Sequence, residues 1–166
     1  LHKILVVEPE KCTGCRTCEM ACSFEKAKEF NPVKSRVKIM KNEEQGIDYP
    51  VICEHCEDPP CMMVCPVEAI SRDPKTDAVI LNEDTCVGCR ACMIACPYGA
   101  ISIDVTRRKI IKCDLCNGDP KCAKWCEPGA IQFVRADRAD IAKKRGMMEK
   151  MSAAILESRK AAAASR

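Results

Sequence analysis

The sequence predicts an α+β fold made by duplication, in which short β-hairpins carry cysteine loops and a helical extension follows at the C-terminus. Three observations predict it. The 166 residues include 16 cysteines, which fall into four groups of four. A small turn followed by Ala-Ile recurs after the last three groups, and their final cysteines are 31 and then 30 residues apart. Short β-branched stretches lead into and out of the groups, the mark of brief strands, and the repeat marks a duplicated unit.

The groups are Cys12, Cys15, Cys18, Cys22; Cys53, Cys56, Cys61, Cys65; Cys86, Cys89, Cys92, Cys96; and Cys113, Cys116, Cys122, Cys126. The first and third have C-x2-C-x2-C-x3-C spacing. Pro66 and Pro97 follow the second and third groups directly, and Pro128 follows the fourth one residue later. C-x2-C-x2-C-x3-C-P is the ligand pattern of bacterial two-cluster ferredoxins, where the fourth cysteine serves the other cluster. Two-residue gaps let a looping backbone present three sulfurs to one cubane. The three-residue gap spans about one helical turn and carries the last cysteine away, and proline then stops the helix. Four such groups imply four 4Fe–4S clusters, with all sixteen cysteines as ligands. Disulfides are disfavoured because cysteines two residues apart rarely bridge without strain. Zinc sites separate their cysteine pairs by longer loops.

The elements follow in order. Strands are expected at Lys3–Val7, Ala69–Ser71, Ala78–Leu81, Ala100–Asp104, Lys109–Lys112 and Ala130–Val134, with hairpin turns at Asp73–Asp77 and Val105–Arg108. Residues 31–52 break the period and read as an inserted hairpin, Val37–Met40 and Ile47–Ile52 around a turn at Asn42–Gly46. Gly14 and Gly88 precede the second cysteine of their groups and are expected to let the backbone approach inorganic sulfide. His55 and Leu115 occupy the matching positions, so those loops are expected to differ. Residues 1–134 form the cluster-binding domain. Residues 135–166 form a basic tail in which Ile141, Met148 and Ile155 recur every seven residues, beside Met151. It is read as an amphipathic helix, packed on its own core or used for docking or self-association.

Aromatic residues are 4% of the chain, so its large apolar side chains are few. The clusters must fill the centre, and folding is expected to need iron. The formal charge is +3. An oxidised cluster with its four thiolates carries about −2, which brings the loaded chain to about −5. The tail alone holds nine Lys/Arg against four Asp/Glu. With negative clusters and no aromatic stacking platform, nucleic acid is not an expected partner. No apolar stretch reaches the length of a membrane span, and no export signal is read. Reduced cysteines then point to the cytoplasm.

These groups, with the inserted hairpin running through Tyr49-Pro50-Val51-Ile52 into Cys53-Glu54-His55-Cys56, resemble the four-cluster electron-transfer subunits of molybdenum and tungsten enzymes. The resemblance covers roughly residues 1–134. It implies that the groups pair outermost with outermost and inner with inner. Cys12, Cys15 and Cys18 would share a cluster with Cys126, and Cys113, Cys116 and Cys122 with Cys22. Cys53, Cys56 and Cys61 would share one with Cys96, and Cys86, Cys89 and Cys92 with Cys65. Ser23 in place of proline after Cys22 departs from the pattern, as does the short gap from Cys116 to Cys122. The chain looks most like the small iron–sulfur subunit of bacterial tungsten aldehyde oxidoreductase complexes. That resemblance implies a tungsten- or molybdenum-pterin catalytic subunit on one side and a flavin/NAD subunit or ferredoxin on the other. Iron–sulfur subunits of formate dehydrogenase, hydrogenase or benzoyl-CoA reductase complexes are the near alternatives.

The chain itself is not expected to be catalytic. It has no paired carboxylates in a catalytic context and no Gly-rich phosphate loop for NAD or flavin. Arg16 and Arg90, at matching positions, are read as solvated, with a cation that raises cluster potential as the alternative. His55 is read as loop packing, with a bond to a cluster sulfide as the alternative, and Trp125 as the shield of a cluster. Three classes follow: a subunit of a larger oxidoreductase, a free polyferredoxin, or an assembly protein whose tail links copies into electron-conducting chains.

Overall fold

The computed structural model describes residues 2–139, with 148 and 152 beyond them. Among the described residues, eight strands form four two-stranded antiparallel sheets. β1 (Lys3–Val7) pairs with β8 (Ile131–Arg135), and β2 (Lys38–Asn42) with β3 (Ile47–Val51). β4 (Ile70–Arg72) pairs with β5 (Val79–Leu81), and β6 (Ser102–Asp104) with β7 (Lys109–Ile111). The helices are α1 (Thr17–Ala27), α2 (Pro60–Met63), α3 (Ala91–Ala95) and α4 (Lys121–Lys124). The fold is α+β, with the strands within one or two residues of their expected positions. Residues 136–139, 148 and 152 are helical; the other residues of the expected tail helix lie outside the described ones.

Three sheets are local hairpins, and the fourth joins the two ends of the domain, with Val7 facing Ile131. It repeats the plan of β4–β5. The Ala130 carbonyl accepts from the Glu8 N–H as the Ala69 carbonyl accepts from the Asn82 N–H, both at 2.8 Å. The three Ala-Ile pairs are buried, Ala69-Ile70, Ala100-Ile101 and Ala130-Ile131 all being 5% exposed or less. That explains the repeat: each pair leads into a strand and seals one side of a cysteine loop.

The core divides in two. Leu5, Val37, Ile39, Ile52, Leu115 and Ile131 pack with Cys18, Cys22 and Cys122. Ile70, Val79, Ile101 and Ile110 pack with Cys61 and Cys92. The first core belongs to the outer cysteine groups and the second to the inner ones.

Ser23 accounts for the longest helix. Where the other groups meet proline, α1 continues to Ala27. Ser23 is fully buried; its Oγ donates to the Met20 carbonyl at 3.0 Å and accepts from the Asn31 N–H at 3.2 Å. α1 then receives the inserted hairpin, since buried Glu19 accepts from the Ile39 N–H at 2.7 Å. Asp48 of the same hairpin lies against Gly14, where a Cβ would collide with its carboxylate. A side chain at position 14 is therefore excluded by Asp48 as well as disfavoured by the left-handed backbone.

Asp73 and Asp104 stand at matching places in the repeat and close the two inner hairpins as Asx turns. Asp104 is fully buried and accepts from the Thr106 and Arg107 N–H groups at 3.0 and 3.1 Å and from Arg107 Nε at 2.8 Å. The Arg107 hydrogen bond holds its carboxyl below the usual carboxylate range, against the effect of burial. Asp104→Ala orphans these donors and should cost about 1–3 kcal/mol, read as a lower unfolding midpoint of the iron-loaded protein.

Candidate iron–sulfur centres

Each cysteine group starts on a loop and places its third cysteine on a helix; Cys22 is still within α1, whereas Cys65, Cys96 and Cys126 lie just past their helices. The step from third to fourth cysteine runs along α1, α2, α3 or α4, as the spacing requires. The loops share a feature that the residue types hid. Gly14, His55, Gly88 and Leu115 all have left-handed φ, of 63°, 48°, 71° and 53°. The expectation that the His55 and Leu115 loops differ at this point is corrected. A common left-handed turn before the second cysteine serves all four groups. At Leu115 the non-glycine residue is held by burial, at 2% exposure in the outer core.

Three sets of four cysteines face common hollows. Cys12, Cys15, Cys18 and Cys126 line one, walled by Ile39 and Pro50 of the inserted hairpin and by Ala130 and Ile131. Cys22, Cys113, Cys116 and Cys122 line a second, with Lys26, Arg36 and Asp114. Cys53, Cys56, Cys61 and Cys96 line a third, with His55, Lys112, Ala100 and Ile101. In each, three cysteines come from one group and one from another. The remaining set is less gathered. Cys86 opens on a recess with Gly88, Arg108 and Lys109, whose wall holds none of Cys65, Cys89 and Cys92. Cys92 nevertheless lies within electrostatic reach of Cys86 and Cys89.

The sets run in a row. Charge on Cys61 is felt at Cys92, charge on Cys53 at Cys113, and charge on Cys18 at Cys122. Of the sixteen cysteines, Cys15 and Cys89 are the exposed ones. They belong to the two ends of the row.

Burial pushes the Cys18 thiol up to about 12, with the Glu19 carboxylate adding to the rise. Burial likewise raises Cys61, Cys92, Cys113, Cys116 and Cys122. Cys15 runs the other way, lowered by hydrogen bonds from Thr17. Buried thiols keep their protons in the absence of metal, so iron binding must displace them and couples to folding.

The donor set fits a polynuclear cluster. Among the described residues, no three Cys, His, Asp or Glu side chains converge as a single metal ion would need. The sulfurs surround hollows instead and are met by N–H donors. Ala69 N–H lies 3.2 Å from Cys65 Sγ, Ile131 N–H 3.3 Å from Cys126 Sγ, and Arg36 N–H 3.3 Å from Cys22 Sγ. Such bonds favour the thiolate and set cluster potential. Lys112 Nζ approaches Cys53 Sγ at 3.2 Å and also bonds the Val79 carbonyl. His55 Nδ1 accepts from the Val79 N–H at 3.0 Å, while its buried Nε2 has no partner. Burial lowers the His55 pKa to about 3, with Lys112 contributing, so the ring is neutral.

Sequence reasoning missed Lys112, which reads as the polar end of a strand. Arg36 and Lys26 also went unnoticed. Arg36 Nε bonds the Lys112 carbonyl at 3.0 Å, and Lys26 pairs with Asp114 at 2.6 Å. Burial acts to raise Asp114, yet Lys26 holds it below its ordinary value. Arg16 and Arg90, in contrast, are exposed residues at the N-terminal ends of α1 and α3. Trp125 is 62% exposed and lines an open groove with Phe24 and Phe30, so it does not shield a cluster.

The family profile for a 4Fe-4S dicluster domain matches residues 44–136, and one for a 4Fe-4S binding domain matches residues 3–24. The polyferredoxin-like subunit of aliphatic sulfonate oxidoreductase from Pyrococcus furiosus is 41% identical over 122 residues, 74% of this chain and 70% of that protein. Formate hydrogenlyase subunit 2 of Escherichia coli K12 is 34% identical over 180 residues, covering 86% of each. Among solved structures, the BamBC active-site complex of benzoyl-coenzyme A reductase matches at a TM-score of 0.49 and 23% identity, over 90% of this chain and 89% of that one.

Proposed function

This chain belongs to the 4Fe-4S dicluster domain family, and we propose that it is an electron-transfer subunit of an oxidoreductase complex, relaying single electrons through four 4Fe–4S clusters. The clusters are assigned to the four sets of cysteines above, the last of them to Cys86, Cys89, Cys92 and Cys65. Residues 1–134 form the wire, and residues 135–166 a tail for docking or oligomerisation. The observation that carries the reading is the placement of the exposed cysteines. A relay must be insulated along its length and open at its ends. Cys15 and Cys89 are exposed in the terminal sets, and neither interior set has an exposed cysteine.

The order along the wire is then the Cys86 set, the Cys53 set, the Cys113 set and the Cys12 set. When bound, each cluster supplies one-electron chemistry. The chain's own part is to hold the sulfurs, exclude water with Ala-Ile pairs and the inserted hairpin, and place donors on the thiolates. It makes and breaks no substrate bond. Among the described residues, no helix is long and apolar enough to cross a membrane, and the proposed location is the cytoplasm.

The proposed partner is a tungsten- or molybdenum-pterin catalytic subunit, with aldehyde oxidoreductase as the first choice and a flavin/NAD subunit or ferredoxin at the other end. Relatives named as subunits of sulfonate oxidoreductase and formate hydrogenlyase support a place in a larger complex. Native anaerobic purification with elemental analysis tests this. Tungsten co-purifying with iron is the expected result; molybdenum or nickel would move the chain to a formate or hydrogen complex. An iron-loaded monomer without a second metal would instead make it a free polyferredoxin, and concentration-dependent large assemblies an assembly protein.

A further inference from the structure

Buried Lys112 and half-buried His55 converge on one of the four cysteine sets, and they do so through a single residue. Val79 is 1% exposed at the start of β5. Its N–H donates to His55 Nδ1 at 3.0 Å, and its carbonyl accepts from Lys112 Nζ. Because Nδ1 accepts, the proton of the neutral ring sits on Nε2. That N–H is buried without a partner, and His55 lines the hollow of Cys53, Cys56, Cys61 and Cys96. Lys112 is 4% exposed and lines the same hollow, with Nζ 3.2 Å from Cys53 Sγ. No carboxylate forms an ion pair with it among the described residues. A buried ammonium without a counter-ion is costly, and an anionic cluster would supply the counter-charge.

The backbone adds a separate argument. His55 holds φ of 48°, where the matching positions 14 and 88 carry glycine. Glycine would relieve the strain, so the histidine is kept for its side chain.

We propose that Lys112 and His55 raise the reduction potential of the cluster held by Cys53, Cys56, Cys61 and Cys96, making this interior position an electron sink within the wire. This rests on the four-cluster reading above. Reduction adds one negative charge to a buried group. A cation in contact and an N–H donor to sulfur both favour the reduced form, more strongly in a dry interior than in water. Arg16 and Arg90 are exposed, and solvent screens them.

The test is a potentiometric titration followed by electron paramagnetic resonance on the iron-loaded full chain. Lys112→Met and His55→Gly are each expected to lower one midpoint potential, Lys112→Met by the equivalent of a tenfold or greater fall in the reduction constant, about 59 mV for one electron. The other midpoints stay in place, Lys112→Arg restores most of the shift, and Arg90→Gln moves none. His55→Gly relieves strain rather than adding it, so it remains informative where Lys112→Met fails to assemble. Unchanged midpoints in iron-replete Lys112→Met or His55→Gly would overturn the assignment while leaving the wire intact. Wild-type protein without its full iron would fail the underlying reading instead.

Discussion

Removing the iron should unfold this chain. Among the described residues each of the four sheets has only two strands, and an isolated pair is marginal at best in water. Among the described residues, α2, α3 and α4 span five residues or fewer, far below the length at which a helix is stable alone. Both cores count cysteines among their buried members, and aromatic residues are 4% of the chain. Little apolar surface therefore remains to offset chain entropy once the clusters are gone. Anaerobic chelation is expected to abolish the cooperative thermal transition. It should also expand the radius of gyration from about 15 Å toward the roughly 43 Å of an unfolded chain of this length. Small-angle scattering with circular dichroism reads both. A compact iron-free protein with its helical signal intact would contradict the account.

The second large effect comes from a single cysteine. Cys22 lies in the first group by sequence but shares a hollow with Cys113, Cys116 and Cys122. Cys22→Ala should therefore spare the cluster at Cys12, Cys15 and Cys18 and damage the one at the fourth group. Iron falls by about one to four per chain, depending on whether a 3Fe–4S remnant survives. Because the damaged position is interior, electron transfer between the two ends stops where the cluster is lost and slows where a 3Fe–4S remnant survives, although the terminal clusters remain reducible. Iron analysis, resonance spectra and transfer from a dye at one end report the result. Loss of the cluster at the first group instead would show that the pairing is wrong.

The strands and helical turns were legible because their signals are local. Ala-Ile pairs follow the cysteine turns, Asp73 and Asp104 close the hairpins, and proline ends the short helices. The inserted hairpin was readable from its break in period and its turn, which opens on Asn42 and ends on Gly46. What escaped depends on contacts between distant segments. Lys112 looks like any polar strand end until β7 packs near β5 and closes over it. The left-handed turns at His55 and Leu115 were hidden because non-glycine residues rarely adopt them. Trp125 was misplaced because a large aromatic in a core-forming helix suggests burial, yet α4 turns that face outward beside Phe24 and Phe30. Ser23 was seen as a departure, but its hydrogen bond to the Asn31 segment explains why α1 runs on.

The central claim, a four-cluster wire, is tested most directly by iron and acid-labile sulfide per chain in anaerobically purified full-length protein. The account predicts about sixteen of each. Zinc in place of iron, or about eight irons in a folded protein, would contradict it.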